Sequence, residues 1–242
     1  MMRNVRVGGI VLCIAAVLAA CSITQADVID STEDSYLRSG SAGSNYDGEN
    51  RILVGWHPVT ALEKLRGVVE FDLSSLAGLT VTDVNLALTI QTIDKYDQDG
   101  GTYDLVLKNL GESFDESSVT WNSLTPDGGD ISGGSLSTLP GFATTTDPGT
   151  DSRSAIGALV GTDVVFPSTA AFIAAAQDAI DNNAGILSLV IHAPGAEDYA
   201  GGDNALYRFE SSVSLEITAI PEPATMSLLA MGGLAILRRR RR

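Results

Sequence analysis

The side chains able to do chemistry in this 242-residue chain are mostly carboxylates. Glu112, Asp115 and Glu116 lie close together in sequence, as the paired acids of a glycosidase must lie in space. They stand in a polar stretch before Val119 with nothing apolar to raise a pKa, so no catalytic role is assigned to them. Asp94, Asp97 and Asp99 surround a turn that ends in Gly100-Gly101. Hard oxygen ligands on a tight loop suit calcium. No Glu falls at the EF-hand position downstream, and a solvated hairpin turn is the other reading. Asp198 and Asp203, around Gly201-Gly202, pose the same question more weakly. The two histidines, His57 and His192, are far apart, and the sequence contains no Gly-x-Ser-x-Gly elbow, His-Glu-x-x-His pair or phosphate loop. The expectation is a protein that is not an enzyme.

The elements that must position these residues are strands. Val84, Leu86, Leu88 and Ile90 face one way, with Asn85, Thr89 and Gln91 opposite; Val69, Phe71 and Leu73 alternate with Glu70 and Asp72; Val213, Leu215 and Ile217 alternate with Ser214, Glu216 and Thr218. One apolar and one polar face is the pattern of an antiparallel sheet with one side wet. Further strands are expected over residues 36–38, 52–56, 103–109, 119–121, 164–166, 187–192 and 206–210, separated by Gly, Asp, Ser and Asn clusters that read as turns. One helix is expected where Ser168-Thr169 can cap the run AAFIAAAQDAID. Its stripe of Phe172, Ile173, Ala176 and Ile180 suits a lid on the sheets. Residues 125–154 show no periodicity and read as a long loop. The fold class expected is all-β: a single antiparallel β-sandwich, jelly-roll-like, with one short helix.

Both ends read as targeting segments. Arg3 and Arg6 precede an apolar stretch over residues 7–20 of signal-peptide length. A cut after Ala26 would start the mature chain at Asp27; the competing reading is a lipobox, Leu18-Ala19-Ala20-Cys21, with Cys21 as a lipidated first residue. At the far end Pro221-Glu222-Pro223 is followed by an uncharged segment over residues 224–237 and five arginines. A helix of that length would reach about 21 Å, short of the ~30 Å hydrocarbon core unless neighbouring residues extend it. The expected division is a signal peptide over 1–26, a sandwich over 27–219 and a tail with a short transmembrane helix over 220–242. The full chain has a formal charge of −15, but residues 27–220 carry 8 basic and 29 acidic side chains, a net charge of −21. So acidic a body will not bind nucleic acid or anionic lipid by charge. Cys13 and Cys21 are the two cysteines, both in the signal region, so no internal disulfide is expected in the mature domain.

The tail PEPATMSLLAMGGLAILRRRRR resembles the PEP-CTERM sorting signal, which implies export through the inner membrane, transient anchoring there, and processing by signal peptidase and an exosortase. The exported protein would then reside at the cell surface, in the extracellular matrix or in the medium. The body resembles the DNRLRE family, β-sandwich domains related to a disaggregatase and to a carbohydrate-binding-module family. The likeness rests on DSYLRSGSAGSNYDGENRILVG, LRGVVEFDLSSL and FDESSVTWNSLTP, with LYRFESSVSLEI fitting the last two strands. It implies a non-catalytic partner of extracellular polysaccharide, with a structural matrix protein and a polysaccharide-degrading enzyme as the alternatives.

Candidate binding residues follow from that expectation. Trp56 and His57, in GWHPVT, lie where a strand gives way to a loop, where an exposed ring can stack on sugar C–H faces; packing at the sandwich rim is the other reading. Arg38, Arg51 and Arg66 are scarce cations in an acidic chain, and either pair with carboxylates or hold an acidic sugar. Trp121 shares a face with Val119 and is expected in the core. No cofactor other than calcium is foreseen.

Overall fold

The computed structural model describes residues 25–57, 63–95, 104–124, 126, 128–129, 131–139, 161–197 and 205–221. Residues 1–24 of the expected signal region, including Cys21, and Asp97, Asp99, Asp198, Asp203, Glu222 and Pro223 lie outside the described residues; Gln25 and Ala26, expected in the signal peptide, begin β1.

Among the described residues ten strands run in the order β1 (Gln25–Asp30), β2 (Glu33–Arg38), β3 (Ile52–His57), β4 (Glu63–Asp72), β5 (Leu79–Lys95), β6 (Leu105–Asn109), β7 (Ser137–Leu139), β8 (Asp163–Phe166), β9 (Ile186–His192) and β10 (Ala205–Pro221). Helix α1 (Ala170–Asn182) and the single turn α2 (Pro194–Glu197) flank β9. Every strand pairing is antiparallel. Neighbours follow the order β7-β6-β9-β4-β3-β10-β5-β8, with β1 beside β10 and β2 beside β4. The short β3 joins the two halves: Gly55 pairs with Leu206 of β10 on one side and Leu65 of β4 on the other. One half, built on β5 and β10, faces the other, built on β4 and β9, and the apolar rows of both meet in one core. This is a β-sandwich.

The alternation read from sequence is what fills that core. Val84, Leu86, Leu88 and Ile90 of β5 meet Val69 and Phe71 of β4 and Leu187, Leu189 and Ile191 of β9, all buried. Val81 breaks the period of two yet is also buried. A register shift between Thr218 and Ala219 accounts for it, because a bulge flips the strand's face assignment. The residues 206–217 expected as two strands form parts of one long strand, β10, which is irregular between Phe209 and Val213. Helix α1 begins as expected: the Thr169 hydroxyl accepts a hydrogen bond from Phe172 N at 3.1 Å. Its Phe172, Ala176 and Ala179 are buried in the core, so it closes the sandwich like a lid.

Three local expectations change. Residues 119–121 form no strand and lie between turns at 116–118 and 121–123, although Trp121 is buried as expected. Inside the stretch expected as loop, Ser137–Leu139 pairs with β6 as β7. The largest change concerns the sheet face expected to be wet. Arg66, Glu70, Ser188 and His192, on the outer face of β4 and β9, are all buried. They lie under a strap, residues 110–124 together with 128 and 129, whose Leu110, Val119, Trp121 and Leu124 pack on Leu37, Val68 and Val190 as a second apolar cluster. The β4–β9 half is therefore buried on both faces.

Candidate functional site

The strap is held by hydrogen bonds that explain why polar residues can be buried beneath it. Arg66 Nη1 donates to Gly128 O at 3.0 Å and to Gly129 O at 3.4 Å, and its guanidinium sits 4.9 Å from the Trp121 ring centre. Gly128 has φ +77 and a Cβ there would come within 2.6 Å of the Trp121 ring, so only glycine lets the carbonyl reach Arg66 at that closeness. Lys108 Nζ donates to Ile131 O and, at 2.6 Å, to Gly133 O. Glu70 Oε2 accepts from Ser188 Oγ at 2.7 Å and from Phe114 N at 3.3 Å. Asn45 Nδ2 donates to Glu116 O at 2.7 Å and Val119 O at 2.8 Å. A buried cation with charge-assisted bonds and an aromatic face is a satisfied structural group. Arg66, expected as a glycan contact, is 6% exposed and faces the strap instead.

The other candidate binding residues gather at the end of the sandwich where β2, β3 and β4 meet. Arg38 Nε donates to Glu63 Oε2 at 3.0 Å, and a second guanidinium nitrogen also contacts that oxygen. Arg38 lies 5.6 Å from the centre of the Tyr46 ring. Tyr46 in turn stacks on Tyr36, ring centres 4.5 Å apart and planes at 22°. His57 pairs in register with Glu63 and Trp56 with Lys64. Trp56 does not offer the open ring expected of it. It is 5% exposed, because the strand places it inward rather than on the rim. The half-exposed aromatic here is Tyr46, of the Asn45-Tyr46 pair among the residues carrying the family likeness; the sequence did not single it out. Burial foremost, with the charge and hydrogen bond of Glu49, pushes the Tyr36 phenol up to about 12. Arg51 pairs with Glu49 through its Nε at 2.8 Å. The arginines at this end are thus already matched to carboxylates, the outcome in which they balance the chain rather than wait for an acidic ligand.

Of the catalytic candidates weighed in the sequence, Asp115 is exposed and accepts from Ser117 N and Oγ, and the Ser117 hydrogen bonds hold it below the usual carboxylate range. Glu116 turns toward Asp34, whose backbone N donates to Glu116 Oε2 at 3.4 Å, and Glu116 N donates to Glu33 Oε2 at 3.0 Å. Partial burial, then the charges of Asp34, Asp47 and Glu33, raises the Glu116 pKa; burial raises that of Asp34 too. The sequence reading, which saw nothing to raise a pKa there, missed the shielding by β2. Asp94 lies in β5 opposite Leu206, and the rest of the calcium candidate is outside the described residues. Among the described residues no group of three or more His, Cys, Asp or Glu side chains is placed to hold a metal. No described helix is long and apolar enough to cross a membrane.

A third feature is a cleft of about 350 Å³ between the start of the strap and the C-terminal end of α1, lined by Asn109, Glu112, Ser113, Ala179, Asn183 and Ala184, among others. No sequence signal marks it, since its walls come from segments far apart in the chain.

Comparison with known proteins gives two matches in sequence. Similar folds were also found among solved structures. The K3 and K1 cleaved adhesin domains of Lys-gingipain from Porphyromonas gingivalis are 11% and 10% identical, with TM-scores of 0.33 and 0.28. Each alignment covers 82% of this chain, and 100% and 98% of those domains respectively. The module CsCBM6-3 from Clostridium stercorarium, solved with cellobiose, is 11% identical with a TM-score of 0.20, over 78% of this chain and 93% of that one. Likeness at this level carries no functional weight. No curated protein matches the chain. Residues 219–242 match the PEP-CTERM protein-sorting motif, the mark of an exported, surface-sorted protein. Residues 25–135, from β1 through the strap, match carbohydrate-binding module family 96.

Proposed function

We propose that this is an exported cell-surface or matrix protein whose sandwich binds polysaccharide without cleaving it, and whose tail is read and processed by an exosortase. The observation that carries the reading is the carbohydrate-binding-module match over residues 25–135, which takes in Arg38, Tyr46, Trp56 and Glu63. The physical features support it. The end formed by β2, β3 and β4 presents a half-exposed tyrosine, stacked on a second ring and flanked by a paired guanidinium, a rigid polar-edged surface of the kind that sugars pack against. The kinship with the DNRLRE family and the removal of the signal peptide and tail belong to the same proposal, as does calcium on the Asp94–Asp97–Asp99 turn.

Affinity electrophoresis of the exported protein tests it, run through gels containing neutral and acidic polysaccharides with and without calcium. Retardation by at least one polymer, weakened by Tyr46→Ala, is expected. Unchanged mobility in every gel would refute glycan binding and favour a purely structural matrix role. Release of reducing ends or unsaturated products would instead mark an enzyme.

A further inference from the structure

We propose that the cleft between the strap and the C-terminal end of α1 is a subsite for an uncharged sugar residue of the bound glycan. The inference rests on the polysaccharide-binding reading and adds to it a second place and a ligand class. Its volume, about 350 Å³, falls at the small end of the roughly 300–1,000 Å³ found for ligand sites, enough for a single ring. Asn109, Glu112 and Ser113 stand on one wall and Asn183 on the other; with Asn109 Oδ1 bonded to Gly111 N and Asn183 Nδ2 to Asp178, the Asn109 amide nitrogen and the Asn183 amide oxygen are the amide groups left for a hydroxyl. Ala175 and Ala179, the helix residues between, end at their methyl groups, which leaves a low apolar step against which the C–H face of a pyranose can rest.

The backbone at the rim is an independent observation. Ala184 has φ 54, the single non-glycine residue in the left-handed region among those described. That conformation costs an alanine about 1–2 kcal/mol, and strain of this kind concentrates where a ligand is held. It is held in place by its neighbours. Gly185 N donates to Ala179 O at 2.9 Å, Ile186 N to Asn183 O at 2.9 Å, and Leu73 N to Gly185 O at 2.7 Å. The result turns the chain sharply out of α1 at the rim of the cleft.

Charge decides the ligand class. The C-terminal end of α1 directs the negative pole of its dipole, about half an elementary charge, at this rim, and the last turn of the helix has no basic residue. Asp178 is fixed there by Asn182 Nδ2 at 2.7 Å and Asn183 Nδ2 at 3.1 Å. Glu112 adds a carboxylate from the opposite wall, and no cation is among the described lining residues. A uronate or sulfate group would meet like charge from both sides. Hydroxyl groups, which donate to carboxylates and carbonyls, would be accepted.

The test is calorimetric titration of the exported protein with cello-, manno- and xylo-oligosaccharides and with an oligouronate. It uses wild type, Ser113→Trp, which fills the cleft from an exposed loop position, and Ala175→Phe, which fills it from the helix. A neutral oligosaccharide is expected to bind, with affinity falling at least tenfold in both variants and thermal unfolding of Ser113→Trp unchanged. Neutral binding that both variants leave intact would overturn the cleft as a subsite while the polysaccharide reading stands. Preference for the oligouronate, lost in the variants, would overturn the ligand class. Absence of binding to any glycan by wild type would bring down the polysaccharide reading and this subsite together.

Discussion

Acid should destabilise this protein through His192, and the size of the effect follows from where the imidazole sits. His192 ends β9 opposite Val106, 3% exposed, on the face covered by the strap. The charged groups nearest it are Arg66 of β4 and Lys108 of β6, both bonded to strap carbonyls. The carboxylate on that face, Glu70, is engaged by Ser188 and Phe114. Burial first, then the two cations, lowers the His192 pKa from 6.5 to about 4. A lowered basic group keeps the unfolded chain the better proton binder between those two values, so stability rises with pH across that window and is lost as pH falls from 6.5 toward 4. At ~1.36 kcal/mol per unit, the loss between about pH 7.5 and about pH 4.5 is about 2.5 kcal/mol as an upper figure. Asp34 and Glu116 act in the opposite sense. Their raised values mean that the folded state takes up protons first, so they return stability as pH falls through the carboxylate range. The assay is urea unfolding across that pH range for wild type, His192→Phe and His192→Gln. Wild type should lose about 2.5 kcal/mol more than either variant over the range, whatever their absolute stabilities. Parallel profiles for all three proteins would refute a buried, neutral His192.

Two further outcomes test the packing. Arg66→Lys keeps the charge but loses the planar fork that reaches Gly128 and Gly129 and lies over Trp121, and should cost about 2–3 kcal/mol in chemical denaturation; limited proteolysis should then cut first within the strap, and unchanged resistance there would contradict a strap held by Arg66. Gly185→Ala places a Cβ 2.6 Å from Ser74 N at φ +87, whereas Gly78→Ala, at φ +76, meets nothing within 4 Å. The first should lower stability by about 3 kcal/mol or more and the second by about 1 kcal/mol, and equal melting temperatures for the two would show that the Ser74 contact yields.

The parts of the fold legible in the sequence are those with a short-range signal. Alternation at Val84, Leu86, Leu88 and Ile90 marks a half-buried strand because successive side chains point to opposite faces. Thr169 marks the start of α1 because its hydroxyl can cap Phe172 N, as it does. The candidate site was legible only in part. Arg38 reaches Glu63 at the start of β4, but Trp56 is buried, and Tyr46, half-buried, stacks on Tyr36 beside that pair. Alternation says which residues share a face; it does not say how deep the face lies.

From the sequence alone come the sorting motif at residues 219–242, the excess of acid in the body, the strand-rich fold and the capped helix, because each depends on residue type and near spacing. Tertiary structure decided what lies over each face. Leu110, Val119, Trp121 and Leu124 are too irregularly spaced to announce a buried strap, yet together they cover Arg66, Glu70, Ser188 and His192. The same strap, meeting the end of α1, makes the cleft. Polar residues on a strand's second face read as solvent-facing until a distant segment supplies the partners that let them be buried.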